Sequence, residues 1–339
     1  MEKLYIEFKD WQNFLRGKLK EKRIYAPIKS ENDIPFYEIL NEKNLTDIVY
    51  DKARPVEPFK IFLFPFKEKV VPEIENFQEF VVLGVNSCDL KGIEILDKVF
   101  KEGEYKDPNY EKRKANILII SLDCKEPYPT CFCSLVGVNP YPSKDFDLNL
   151  SKIGNGFIVE IGSEEGLKFL DNDSRFYKAN DTQIKILEEE RERTIEKVKK
   201  INENFKIKEP ENLKGMFHKE YWQKIEDIKN CVSCGSCTFN CPTCVCFLLE
   251  DISKNEIFKK VKIWDSCQFP GYARMASGAT PRPSLFERYA NRLLCKYWYM
   301  KENFKIFGCT GCGRCINGCI GKIDKRKVID EVLVEKMKV

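Results

Sequence analysis

The run at residues 231–242, CVSCGSCTFNCP, constrains this chain more than any other feature. Its spacing, C-x2-C-x2-C-x3-C-P, is the bacterial signature for 4Fe–4S clusters. The spacing has a physical cause. Cys231, Cys234 and Cys237 fall on one tight loop and hold three irons of a cubane. Cys241, on the segment that follows, points away and ligates the other cluster. Gly235 lets the backbone come close, so that amide N–H groups can hydrogen-bond the sulfides. A second run at 309–319, CTGCGRCINGC, repeats the spacing, with Ile320 where proline usually stands. Reciprocal ligation follows: Cys231, Cys234, Cys237 and Cys319 for one cluster, and Cys309, Cys312, Cys315 and Cys241 for the other. A zinc site would favour two widely separated C-x2-C pairs, whereas each run here adds a third and a fourth cysteine.

Eight of the 16 cysteines remain. Cys244 and Cys246 follow the first run directly, Cys267 sits in WDSC, and Cys295 in LCK. They are candidates for a third cluster, or else inert core cysteines, which pack as small hydrophobes. Cys88, Cys124, Cys131 and Cys133 form the last set. Cys88 and Cys124 each end a strand-like run, and adjacent strand ends meet at one sheet edge. Pro127 and Pro129 bend the next loop back, bringing Cys131 and Cys133 to the same edge. A further metal site there is expected to be either an iron–sulfur cluster or empty of metal. One or two clusters beyond the ferredoxin pair would use every cysteine.

Around these motifs the chain reads as two domains and a linker. Residues 61–64, 81–85, 117–122 and 157–161 are Val-, Ile- and Phe-rich strand candidates, and 89–100 has helical spacing. Residues 1–178 are therefore expected to form an α/β domain. Residues 8–20 predict a helix with Trp11, Phe14, Leu15 and Leu19 on one face. Residues 179–211 read as a charged helical linker ending in a turn at 208–212, and a helix over 212–229 leads into the cysteines. The long insert between the ferredoxin runs has helical spacing at 283–297. Residues 212–339 are therefore similar to the all-helical ferredoxin domains of multi-subunit oxidoreductases.

Composition narrows the function. Charges nearly balance, at 57 basic and 53 acidic residues, so a basic nucleic-acid surface is not expected. Apolar runs are strand-sized, too short to cross a bilayer, and no secretory signal stands at the N-terminus. A cytoplasmic chain with this many cysteines points to metal rather than disulfides. No Gly-x-Gly-x-x-Gly follows a strand, so a nicotinamide or flavin site of the chain's own is not expected. The single histidine, His218, reads as structural. Arg314, inside the second run, is expected to raise that cluster's potential; Arg282, Arg288 and Arg292 are expected to pair internally, the alternative being an acidic surface of a partner.

The residues now carry a resemblance. The order GVNSCDL (84–90), Tyr110 to Arg113, PTCFC (129–133), the first ferredoxin run with PTCVC (242–246), WDSC (264–267) and GCGRC (311–315) resembles a family of dicluster electron carriers. Its members include the beta subunit of cytoplasmic sulfhydrogenase and the corresponding electron carrier of anaerobic sulfite reductase. Cys295 departs from the family, which carries histidine before lysine there; a Cys/His exchange suits a cluster ligand. The resemblance implies an electron-transfer subunit rather than an enzyme acting alone. It implies one partner that binds flavin and NAD(P)H. The second is a catalytic partner: a hydrogenase, a sulfite reductase or a heterodisulfide-reductase-like module. The alternative is a reductase subunit that binds a small sulfur substrate at an open cluster position.

Overall fold

A computed structural model of the chain describes residues 2–337 apart from 53, 75, 206–212, 217 and 255–256. The turn expected at 208–212 lies outside the described residues. The strands are β1 (Lys3–Glu7), β2 (Arg23–Lys29), β3 (Pro35–Ile39), β4 (Lys67–Val71), β5 (Phe80–Val85), β6 (Ile117–Leu122), β7 (Leu148–Ile153), β8 (Gly156–Ile161), β9 (Tyr177–Lys178), β10 (Phe247–Lys254) and β11 (Ile257–Trp264).

Eight of them make one mixed sheet in the order β3-β2-β5-β6-β7-β8-β1-β9. Its centre, β2-β5-β6-β7, is parallel. Parallel strands are covered on both faces, and the side chains here divide accordingly. Val81 and Leu83 of β5, with Ile120 and Leu122 of β6, face a core shared with Trp11, Phe14 and Leu15 of helix Phe8–Lys18. Val82, Val85, Ile117 and Ile119 face the opposite core, built on Leu90, Ile93, Leu96 and Phe100 of helix Ser87–Phe100. Burying each such side chain contributes about 1.5–3 kcal/mol, so the period-two alternation fixes the register.

Helix Asp181–Ile201 starts at a capping box, with Asn180 and Gln183 exchanging side-chain-to-backbone hydrogen bonds. Its exposed face is charged, but the other face braces the molecule. Leu187 packs with Tyr5, Ile153 and Ile158 of the sheet, and Val198 joins the C-terminal core. Arg191 of this helix pairs with the nearly buried Asp123 and Glu160.

The C-terminal part is not all-helical. Between the ferredoxin runs, β10 and β11 form an antiparallel hairpin, and β11 pairs with β4 from the N-terminal half. The buried Lys262 on β11 pins this sheet to Glu68 and Asp107. Helices follow the hairpin in the chain: Leu285–Leu294 continues through a π turn, Cys295–Tyr299, into Met300–Phe304. In the expected helix over 212–229, the described residues form two short turns, Lys219–Gln223 and Glu226–Asn230. The strand expected at 61–64 is instead the helical turn Lys60–Leu63, with Phe64 just beyond its end. Among the described residues no helix is long and apolar enough to cross a membrane.

Candidate metal centres

The two ferredoxin runs adopt the same local backbone. Ser233 and Gly235 in the first, and Gly311 and Gly313 in the second, take left-handed φ values of 55°, 75°, 65° and 72°. Each is followed by one helical turn, Ser236–Phe239 or Arg314–Asn317. The turns lie against one another, with Ser236 Oγ donating to the carbonyl of Gly318 at 2.8 Å. The glycines of the second loop also serve packing. A Cβ on Gly311 would stand 2.4 Å from Cα of Cys133, and one on Gly313 would stand 2.1 Å from the carbonyl of Thr130. The loop carrying Cys131 and Cys133 is thus packed backbone to backbone on the second ferredoxin run, and the Phe132 amide donates to the Gly311 carbonyl at 2.8 Å.

Three cavities result, two lined by four of the sixteen cysteines and the third by five, one of which it shares with its neighbour. The first, about 350 Å³, is lined by Cys231, Cys234, Cys237 and Cys319 with Tyr289 and Lys325. The second, about 390 Å³, is lined by Cys309, Cys312, Cys315 and Cys241 with Arg292, Lys296 and Tyr297. Lys325 borders both. The third, about 370 Å³, is lined by Cys88, Cys124, Cys131 and Cys133 with Arg54, and Gly311 and Cys312 of the second run form part of its wall. Cys88 opens helix Ser87–Phe100 after β5, and Cys124 follows its parallel neighbour β6. The three cavities therefore form a row, with the second in the middle.

The last four cysteines are grouped differently. Cys246 hydrogen-bonds with Cys267, which brings its thiol down to about 6. A hydrogen bond from Cys244, with the cations of Lys296, Arg292 and Lys60 nearby, holds Cys241 well below the usual thiol range. Cys295 begins the π turn, adjacent to Lys296, and π turns concentrate at functional sites. Among the described residues, no three His, Cys, Asp or Glu side chains converge as they would around a single metal ion. Thiolates on separate irons of a cluster stand further apart than those sharing one ion.

Charge tests whether these cavities suit a cluster. Burial pushes the thiols of Cys88, Cys124 and Cys131 up, Cys133 to about 12, Cys309 to about 11 and Cys315 to about 12. Such thiols ionise only with a compensating cation, which a bound metal supplies. Among the described residues nine Lys and Arg side chains are buried. Arg314, Lys262 and Arg326 are paired with carboxylates. Arg54, Lys60, Arg288, Arg292, Lys296 and Lys325 are described with no carboxylate partner. All six lie at the cysteine groups. Lys60 donates to the carbonyl of Cys244 at 2.9 Å, Arg288 to that of Gln268 at 3.0 Å, and Arg292 to that of Cys237 at 2.6 Å. Arg292 Nε and Arg54 Nη2 have no hydrogen-bond partner. Unpaired buried cations are costly unless an anion is present, and an iron–sulfur cluster in its thiolate cage is an anion. The residues fit the group.

Two sequence expectations change here. Arg314 is fully paired: its guanidinium binds Asp89 through two 2.7 Å contacts and donates to the carbonyls of Pro55, Val56 and Glu57. It ties the α/β part to the second ferredoxin run rather than lending that run a free charge. Arg288 and Arg292 are internal but bind carbonyls instead of carboxylates. Arg54, Lys60, Lys296 and Lys325 carried no recognisable motif; only the position of Lys296 beside Cys295 was a signal.

Comparison with known proteins agrees with this geometry. A 4Fe–4S dicluster domain matches residues 230–323, so two 4Fe–4S clusters belong to this region. The sulfhydrogenase 2 subunit beta of Pyrococcus furiosus is 31% identical over 327 residues, covering 93% of this chain and 94% of that protein. A match of this extent, running through the α/β part as well as the cysteine runs, shows that the chain belongs to the sulfhydrogenase beta-subunit family of iron–sulfur electron-transfer subunits.

Proposed function

We propose that this chain relays electrons between a flavin- and NAD(P)H-binding subunit and a catalytic redox subunit. A hydrogenase is the partner class nearest to its relative, a sulfhydrogenase subunit. The observation that carries the reading is the row of three cysteine-lined cavities with shared walls. In this reading Cys231, Cys234, Cys237 and Cys319 hold one cluster, and Cys309, Cys312, Cys315 and Cys241 the second. Cys88, Cys124, Cys131 and Cys133 hold a third. Cys244, Cys246, Cys267 and Cys295 are the ligand set of a fourth. Clusters held there supply one-electron redox chemistry at potentials set by burial, hydrogen bonds and charge.

The protein's own residues do the rest. Tyr297 hydrogen-bonds Cys309, and the amides of Gly311 and Ile323 donate to Cys309 and Cys319 at 3.4 and 3.5 Å. Phe132, Tyr289 and Tyr297 are buried and keep water out. Cys234 of the first cavity is exposed, whereas the cysteines of the other two are buried or half-buried. It is flanked by Val232 and Ile320, 62% and 69% exposed. That apolar rim suits a partner's docking.

A substrate-binding reductase needs an open iron, but each of the three cavities offers four thiols, one for each iron of a cubane. The broad cleft between Lys22, Glu79, Lys114 and Lys168 contains no cysteine. The test is anaerobic reduction of the isolated chain. Dithionite should bleach its visible absorbance, while NADPH should not unless a flavoprotein subunit is added. Direct reduction by NADPH of the chain alone would overturn the relay.

A further inference from the structure

We infer that Arg54 is the built-in counter-charge of the N-terminal cluster site and sets its reduction potential. This rests on the reading that Cys88, Cys124, Cys131 and Cys133 hold a cluster. Arg54 is 3% exposed. Its Nε donates to the carbonyl of Cys312, its guanidinium lies 5.2 Å from the ring centre of Tyr128, and its Nη2 has no partner. It lines the cavity of the four cysteines. The buried acid next to Cys88 in the chain, Asp89, is taken by Arg314. A guanidinium so placed, with one fork arm unused, is matched by an anion that can accept a hydrogen bond at sulfur. Neutral thiols would leave it uncompensated.

The same position makes Arg54 a joint between two sites. Its Nε holds the backbone of the second ferredoxin run while the residue itself lines the N-terminal cavity, so its charge stands at the wall between the two. One-electron reduction adds one negative charge to the cluster, with no bond made or broken and no proton taken up. A fixed cation beside it favours the reduced form and raises the potential.

The experiment uses the full chain purified without oxygen, with iron counted and EPR-monitored potentials titrated using dithionite and mediators. Cys88→Ser tests the underlying reading: it should remove about four irons (one cubane) and one EPR signal. Unchanged iron in Cys88→Ser would sink that reading, and this inference with it. Arg54→Gln should keep the iron but shift that same signal negative by at least tenfold in the reduction equilibrium, about 59 mV for one electron. Arg54→Lys, which keeps the charge, should stay within threefold of the parent. If Arg54→Gln loses the cluster and Arg54→Lys retains it, the charge is required and the inference stands. If Cys88→Ser loses iron but Arg54→Gln leaves the potential in place, Arg54 is merely structural. Loss of iron in both Arg54 variants would likewise reduce Arg54 to a packing role and overturn the inference.

Discussion

Asp89→Asn is the sharpest perturbation of the joint between the two halves of the molecule. Asp89 and Arg314 are both essentially buried, and their two contacts at 2.7 Å connect helix Ser87–Phe100 to the second ferredoxin run. Asparagine keeps the shape and one acceptor but leaves the Arg314 charge unmatched. Breaking a buried pair in this way costs about 3–5 kcal/mol. A domain of roughly 150–250 residues loses about 2–4 °C per kcal/mol, so the melting temperature should fall by about 6–20 °C. Arg314 also holds the carbonyls of Pro55, Val56 and Glu57, so Arg314→Met is costly by itself. The double variant should nevertheless cost less than the sum of the singles by about 0.5–3 kcal/mol. Anaerobic thermal unfolding, followed by far-UV circular dichroism and visible absorbance together, measures all three. The electrostatics add a signed prediction: Asp89→Asn frees a positive charge beside Cys312 and Cys315, and the second cluster's potential should rise. Strict additivity of the two substitutions, or a drop of less than about 2 °C in Asp89→Asn (under 1 kcal/mol by the same scaling), would refute the reasoning.

Other consequences follow from single contacts. Gly311→Ala places a Cβ against the Cys133 backbone at a left-handed φ, and should destabilise by more than about 1 kcal/mol while reducing iron content in the N-terminal and second sites together. Cys241→Ser should disturb the cluster of the second run, not the first, as judged by which EPR signal remains in Cys241→Ser and in Cys309→Ser. Arg191→Ala leaves Asp123 and Glu160 without their shared cation and should lower stability by about 3–5 kcal/mol, measured by chemical denaturation. Removing the clusters with chelator and oxidant leaves Arg292, Lys296 and Lys325 buried without an anion, so limited proteolysis should cut the apoprotein between 230 and 323 first, with the large sheet persisting.

The strands β5, β6 and β8 and the helices at 8–18 and 87–100 were legible from their apolar periods, and the helix at 181–201 from its unbroken charged run. Residues 61–64 were not. Four apolar residues between prolines fit a strand and a buried helical turn equally well, and packing of Phe59, Leu63 and Phe64 on helix Ser87–Phe100 chose the turn. The hairpin β10–β11 was hidden because most of its apolar residues, such as Leu248, Leu249 and Phe258, are exposed. Its signal was the alternation through Ile257–Trp264, read against the expectation of an all-helical insert. Cysteine spacing anticipated which cysteines line the first two cavities together, since three of the four in each come from one run. The charges around them come from residues 54, 60, 292, 296 and 325, gathered by tertiary folding, which leaves no local pattern. The convergence of Cys88 and Cys124 was readable because neighbouring parallel strands end at one edge.

In the function proposed above, the ferredoxin pair continues into a cluster in the α/β part. The direct measurement is iron and acid-labile sulfide per chain on protein purified without oxygen, alongside the EPR spectrum of the reduced form. The account predicts about 12 irons (three cubanes of four), or about 16 when the Cys244 group is loaded too, with magnetic interaction between neighbouring signals. A count of about 8, unchanged in Cys88→Ser, would confine the clusters to residues 230–323 and contradict it.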